Sequence, residues 1–315
     1  MAVAMHQISP VAHLPLVLGV VRKLNVAGLI DTFCPPHPAH VLSCGRGVEA
    51  LLLAILDGHH ALYKVGRRLE ERGMLPLLQP GLNRTSLHDD RLGQILDALF
   101  AAHLNRVFGA IALNALEVYA LSTPWLHQDT TTITLYGAYA EEARPAQEPV
   151  PPRPAYGHSK DGHEDLKQVL LSLGVSSDGL PLRMGVRDGN TSDSTETPVA
   201  IEECVALGLD GVRGIVADSK AYCKRTLGLC LEQRVGLITL VPRTCAVRQE
   251  LETWGQQQGA LPLLLDKPGR TSQEPPRRWH GHSVTRPVEV EYADGRLAVE
   301  EIRFLVAELA SRLFG

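Results

Sequence analysis

The sequence predicts an α/β protein: an all-helical N-terminal domain, then a mixed sheet with flanking helices. Three observations predict it. Apolar residues recur at three- and four-residue steps as far as about residue 113, the period shortens to alternation after Pro124, and from about residue 196 helical stretches alternate with short apolar strands. The 315 residues suit roughly two domains of about 150 residues. A hydrophobic content of 44% with 21% charged residues is the composition of a chain that folds over most of its length.

The helical domain is expected over residues 1–120. One helix is predicted from about Val48 to Arg72, with a polar kink near Gly58, His59 and His60. A second starts at Ser86, where Ser86 and Asp89 have capping-box spacing, and continues through Leu92, Ile95, Leu96, Leu99, Phe100, Leu104, Val107, Phe108 and Ile111. Eight of the 13 histidines fall in this third, and the adjacent pair His59 and His60 reads as solvated helix-end residues rather than ligands.

Residues 121–245 change period. Trp125 to Gly137 reads as a strand, and residues 140–155, rich in Pro, Ala and Glu, read as a flexible loop. Two apolar runs, Leu166 to Val175 and Leu180 to Val186, are joined by a turn with the Asp178–Gly179 hairpin signal. A helix from Glu196 to Leu207, a strand from Val212 to Ala217, a helix from Ala221 to Gln233 and a strand from Gly236 to Val241 complete the order. Three strands able to pair as a meander, followed by alternating helices and strands, give the order of a ribonuclease-H-like mixed sheet. Residues 246–315 read as a β-rich insertion.

Several functions are excluded. The longest apolar stretches are broken by His13 and Asp57 well before the roughly 18 residues of a membrane span, and no secretory signal precedes them. Six cysteines (34, 44, 204, 223, 230, 245) without a C-x-x-C pair predict reduced thiols, a cytoplasmic protein and no zinc ribbon. No phosphate-binding loop occurs; Gly45, Gly47 and Ala50 follow no strand, and Ser159 in GHSKDG lacks the second glycine of a nucleophile elbow.

Residues 121–220 carry 15 Asp/Glu against 8 Lys/Arg, within a net charge of -4 for the chain. That concentration suits a cation-binding centre, although charge counts by themselves favour a solvated acidic face. Its sharpest members are Asp129, in WLHQDTTTITLYG, and Asp218, in GIVADSKAY. In the predicted sheet their strands are central neighbours, so the two carboxylates converge and repel. A divalent ion, Mg²⁺ or Mn²⁺, would relieve that repulsion and could activate a water or a 3′-hydroxyl against a phosphodiester. Taken singly, each aspartate reads as a strand-end or capping residue, and only the pair together points to a metal.

WLHQDTTTITLYG, YGHSKDGHEDLKQVLLSLGVSSDGLPL, DGNTSD and IVADSKAY, in that order, resemble the nuclease core of bacterial insertion-sequence transposases of the DDE type, in the IS-four-like group. LGVVRKLNVAGLID, LYKVGRRLEERG and LHDDRLGQILDALF resemble the N-terminal domain of the same proteins. The resemblance runs from about residue 14 to 305. It implies Asp129 and Asp218 as the first two metal-binding carboxylates, Lys160 and Lys167 as contacts to DNA phosphates, and Asp161 as a turn cap. The loop Asp188, Gly189, Asn190 and Asp193 matches as well and reads as a turn and helix cap. It also implies Trp279, flanked by Arg277 and Arg278, as a stacking platform for a base extruded near the cleaved end. The competing role for Trp279 is packing against Val284 or Phe304.

One departure matters. The family places a third acid in a pattern of Tyr, Arg three residues on and Glu four beyond; Tyr222 has Arg225 but then Leu229, and Tyr292 has Gly295 where Arg is required. Glu289, Glu291, Glu300 and Glu301 read as a solvated sheet face. The resemblance therefore implies a C-terminally truncated transposase, an inactive or partial copy for metal-dependent hydrolysis and strand transfer. The alternative is a non-catalytic DNA-binding protein that inhibits transposition, gripping phosphates through Arg22, Lys23, Lys64, Arg67, Arg68 and Arg72. A junction-resolving nuclease is a third reading, disfavoured by the N-terminal resemblance. The partners implied are terminal inverted repeats and target DNA, with no membrane; a nucleoid-associated location and a homodimer on DNA are compatible.

Overall fold

The computed structural model describes residues 11–58, 61–140, 149–158, 162–206, 212–268 and 277–309. The chain divides into two compact units, one comprising residues up to Thr123 and Thr131–Asn190, the other Pro124–Thr130 and the residues from Thr191 on.

In the first unit the helical segment contains α1 (Leu14–Lys23), α2 (Val26–Phe33), α3 (Cys44–Leu56), α4 (Leu62–Glu71), the one-turn α5 (Leu75–Leu78), a 3-10 turn at Arg84–Leu87, α6 (Asp89–Ala101) and α7 (Leu104–Tyr119). Their apolar faces meet in one core that includes Leu14, Leu18, Ile30, Leu53, Leu69, Leu92 and Ile95. Ser43 caps α3 by accepting from the Arg46 amide at 3.2 Å. At Gly45, in the first turn, a Cβ would stand 2.2 Å from the Ala27 carbonyl oxygen, so α2 and α3 touch backbone to backbone.

Two predicted helices are each divided. The stretch from Val48 to Arg72 ends α3 at Leu56, turns through Gly58 at φ 80°, and restarts as α4. His59 and His60 lie outside the described residues. The cap at Ser86 is also corrected: α6 starts at Asp89, its amide cap is the His88 ring, which accepts from the Arg91 N–H at 3.2 Å, and Ser86 belongs to the preceding turn, capped by Asn83. The apolar stripe continues to Ile111 across a break at His103, φ 62°, where α6 and α7 bend by 86°. A three-four periodicity resumes after one positive-φ residue, so spacing alone does not reveal the break.

Asp57, at the end of α3, is 3% exposed and accepts from Arg68 at 2.7 Å and Arg72 at 2.8 Å, fastening α4 to α3. Burial by itself would push its carboxyl up, but hydrogen bonds from Arg72 and Arg68, with their charges, hold it below the ordinary carboxylate range.

Strands β2 (Lys167–Ser176) and β3 (Pro181–Asp188) form the predicted antiparallel hairpin, turning at Gly179 with φ 83°. Helix α7 packs on β3. The predicted flexible loop is corrected over its described part: Ala155 exchanges backbone hydrogen bonds with Gln168 at 3.1 and 3.0 Å, and the Arg153 amide donates to Asp188 at 2.9 Å. Residues 141–148 lie outside the description.

Strand β1 (Trp125–Leu135) is central in a five-stranded sheet of order β3-β2-β1-β4-β5, with β4 (Gly214–Ala217) parallel to both β1 and β5 (Gly236–Ile238). This is the ribonuclease-H-like mixed sheet with flanking helices. The second unit continues through α8 (Asp193–Ala206), a 3-10 turn at Ser219–Ala221, α9 (Lys224–Glu232), α10 (Ala246–Gln257) and an antiparallel sheet of β6 (Leu263–Lys267), β7 (Arg277–Glu291) and β8 (Leu297–Leu309). Helix α9 thus starts three residues later than predicted, and β5 stops three residues short of Val241. In α9, a Cβ at Gly228 would lie 2.1 Å from the Glu291 carbonyl oxygen, which seats the helix on β7. Two of the tail glutamates have partners: Glu289 pairs with Lys224, and Glu300 accepts from the Tyr292 hydroxyl at 2.6 Å. Among the described residues no single helix is long and apolar enough to cross a membrane.

Gly45→Ala should destabilise the helical segment by about 1–3 kcal/mol through overpacking against α2, read as a lower midpoint in urea unfolding. Because the folded Asp57 carboxyl lies below its unfolded value of about 3.9, its stabilisation is full above that value and is lost as pH falls through the depressed one. Wild-type melting temperature should therefore drop on acidification more steeply than that of Asp57→Asn, which melts lower at neutral pH.

Candidate metal centre

The strand β1 alternates. Leu126, Gln128, Thr130 and Thr132 are buried, while His127, Asp129 and Thr131 are exposed. It pairs with β4 in parallel register, Trp125 with Gly214, Leu126 with Ile215, His127 with Val216 and Gln128 with Ala217. Asp129 is the next residue of β1, and Asp218 is the first residue after β4. Matched positions in a parallel pair face the same side, as Trp125 shows: its ring lies so close over Gly214 that a Cβ there would stand 2.3 Å from it. By that alternation Asp129 lies on the exposed face of β1, and Asp218, exposed as well, follows the end of β4.

Local bonds hold both carboxylates. Asp218 remains extended (φ -69°, ψ -179°) and accepts from the Lys220 amide at 3.0 Å, beginning the turn at Ser219–Ala221, while its carbonyl accepts from the Thr239 hydroxyl. Asp129 accepts from the Thr130 amide at 2.8 Å, and the Gln128 side chain donates to its carbonyl at 3.2 Å. On the opposite face the Thr130 hydroxyl donates to Asp193 at 2.6 Å, tying the start of α8 to β1 beneath the site. Each carboxylate has about four lone-pair positions, so these bonds orient the groups and leave oxygens for a ligand. Two exposed aspartates fit a hard divalent cation that keeps several waters. Burial, with the neighbouring Cys223, pushes the Cys230 thiol in α9 up to about 12.

The predicted DNA contacts have varied surroundings. Arg67 is exposed, 3.6 Å from Glu71, whereas Arg68 is committed to the buried Asp57. The Lys167 ammonium donates to the Tyr139 carbonyl at 2.6 Å and lies 5.8 Å from the Tyr156 ring centre. Lys160 and Asp161 fall outside the described residues. Asp188 accepts from the Arg153 amide and Asp193 from the Thr130 hydroxyl, while the first turn of α8 is capped by Ser192, whose hydroxyl accepts from the Thr195 amide at 3.2 Å.

On β7, Arg277 is exposed, Arg278 pairs with Asp266 at 3.1 Å, and Trp279 is half-buried opposite Leu265 of β6. The packing expected for Trp279 is corrected: Val284 pairs with Phe304 five residues, or about 17 Å, along the ladder, and the Phe304 ring faces Tyr222 at 6.3 Å. A second tryptophan escaped the sequence reading. Trp254 of α10 stands 5.9 Å from the Arg286 guanidinium and edge-on to His282 at 6.0 Å, in an open groove of about 480 Å³ lined also by Gln249, Glu250 and Gln257. The signal was available in the Gln-rich amphipathic run around it.

Residues 6–113 match a family described as a domain of unknown function, DUF4277. No curated protein matches the sequence. Two solved structures are matched at 11% identity over 69% of this chain and 62% of theirs: a pre-cleavage Mos1 transpososome, with a TM-score of 0.24, and a Mos1 transposase paired-end complex with the left transposon end, with a TM-score of 0.23. The chain thus spans less than two thirds of the length of the chains it resembles.

Thr130→Val removes the hydroxyl that holds Asp193 without changing shape. It should cost about 1.5 kcal/mol, the worth of a hydrogen bond to a charged group, measured by denaturant unfolding.

Proposed function

We propose that the chain is a DNA-binding protein of the insertion-sequence transposase type, in which Asp129 and Asp218 hold a divalent ion, Mg²⁺ or Mn²⁺, at the end of the central strands. The reading is supported by one observation: the parallel register of β1 with β4 runs to Gln128 and Ala217, the residues just before Asp129 and Asp218, and both aspartates are exposed. Such an ion, when bound, polarises a phosphodiester and lowers the pKa of a bound water. The chain's own contribution is to hold the two carboxylates before binding: Thr130 and Lys220 amides orient them, and the Thr130–Asp193 bond stiffens the strand below. The phosphate contacts we assign are Arg67, Lys160, Lys167 and Arg277; Arg68 and Arg278 enter only by exchanging a carboxylate partner. A stacking platform for an unpaired base fits Trp254 with Arg286 better than Trp279, because the groove around Trp254 is open and polar.

Two carboxylates position one ion and leave the charge of a second unbalanced, so slow strand cleavage is expected of these residues by themselves.

Electrophoretic mobility shifts with duplex and flayed-end oligonucleotides should show binding whose logarithm falls linearly with the logarithm of salt, reduced by Arg67→Ala. Plasmid nicking in Mg²⁺ or Mn²⁺ should be slow. Absence of salt-dependent binding would sink the DNA reading; fast nicking abolished by Asp218→Asn would show that the chain supplies its own third acid.

A further inference from the structure

Strand β8 is an edge of the smaller sheet: the order is β6-β7-β8, so among the described residues its outer row of backbone N–H and C=O groups meets no strand. Proteins blunt such edges by keeping them short or by adding lysine, proline or a bulge. β8 has none of these devices. It is 13 residues long, lacks lysine and proline, and pairs with β7 at every position from Leu297 to Leu309 without a register shift. One face packs on the helices of this unit, where Phe304 faces Tyr222 and a Cβ at Gly255 of α10 would stand 3.0 Å from Val306. Alternation puts Leu297, Val299, Glu301, Arg303, Leu305 and Ala307 on the other face, and all six are exposed, Val299 at 69% and Leu305 at 65%. A regular, partly apolar edge of this length is a template for another strand.

The order of side chains on the exposed face identifies the strand that fits. Turned end for end about Ile302, the face meets its own complement: Val299 falls opposite Leu305, and Glu301 opposite Arg303. Directly opposed residues of an antiparallel pair have Cβ atoms about 4.5–5.5 Å apart, within reach of an ion pair. On β7 the neighbours of Glu301 and Arg303 are the uncharged Pro287 and Thr285, and no ion pair engages either among the described residues. We propose that β8 pairs antiparallel with β8 of a second copy about a two-fold axis at Ile302, joining two three-stranded sheets into one of six strands. The pairing gives Glu301 and Arg303 their countercharges twice over and sets Val299 beside the second copy's Leu305. Moving the axis by one residue would oppose Glu301 to Glu301 or Arg303 to Arg303, so the charges also fix the register. The dimer uses neither the helical segment nor Asp129 and Asp218, and it stands or falls apart from the proposed function.

The test is analytical ultracentrifugation of the full chain without DNA, its concentration raised through the micromolar range. The wild type should sediment as a reversible mixture of monomer and dimer. Glu301→Arg sets like charges together on both sides of the axis and should weaken the dimer about tenfold, as should Arg303→Glu. The double variant carrying both changes should restore it, because each ion pair re-forms with its signs exchanged. Leu305→Lys, at a position exposed in the single chain, should also shift the mixture to monomer, and unchanged circular dichroism shows that each variant folds. A wild type that stays monomeric overturns the proposal. So does a dimer that the single variants leave intact, or one that the folded double variant fails to restore, since either places the contact elsewhere on the surface.

Discussion

The parallel pairing of β1 with β4 is the constraint on which the candidate centre depends. Four register pairs, from Trp125 with Gly214 to Gln128 with Ala217, fix which residues come next and on which face. A slip of one residue would turn every side chain of β4 to the opposite face. Small residues protect the register. The Trp125 ring occupies the space a side chain at Gly214 would need, so the strands close at that end only in this alignment.

The same strand supports the centre from below. Its buried face carries polar side chains, Gln128, Thr130 and Thr132, an expensive choice for a core unless each finds a partner. Thr130 finds Asp193 at the head of α8. The polar residues beneath the site thus join the helix following the hairpin to the strand that bears the carboxylate, and a site on such rigid elements needs little reorganisation to receive an ion.

The helical segment follows a parallel logic. A buried carboxylate, Asp57, is paid for by two arginines that also determine how α4 leaves α3. The cations with the closest geometry therefore belong to the fold, while the more exposed ones, such as Arg67, remain for an external anion. Exposed pairs such as Arg278 with Asp266 contribute little to stability and can exchange partners without much cost.

The sequence alone determined the class of every strand of the larger sheet, the hairpin at Gly179, and the two aspartates at strand ends. These are local signals: alternation, a turn glycine, a carboxylate closing an apolar run. What it did not determine were events that preserve periodicity or depend on distant partners. The apolar stripe runs unbroken through His103, so one helix was expected where a single positive-φ residue makes two. The true cap of α6 is a histidine ring, outside the usual capping residues. The packing of Trp279 depended on the length of β7, and the commitment of Arg68 on Asp57, eleven residues earlier. Only the tertiary structure decided the register that sets Gln128 against Ala217, the residues just before Asp129 and Asp218, because register arises from pairing between segments some ninety residues apart, which no local pattern encodes.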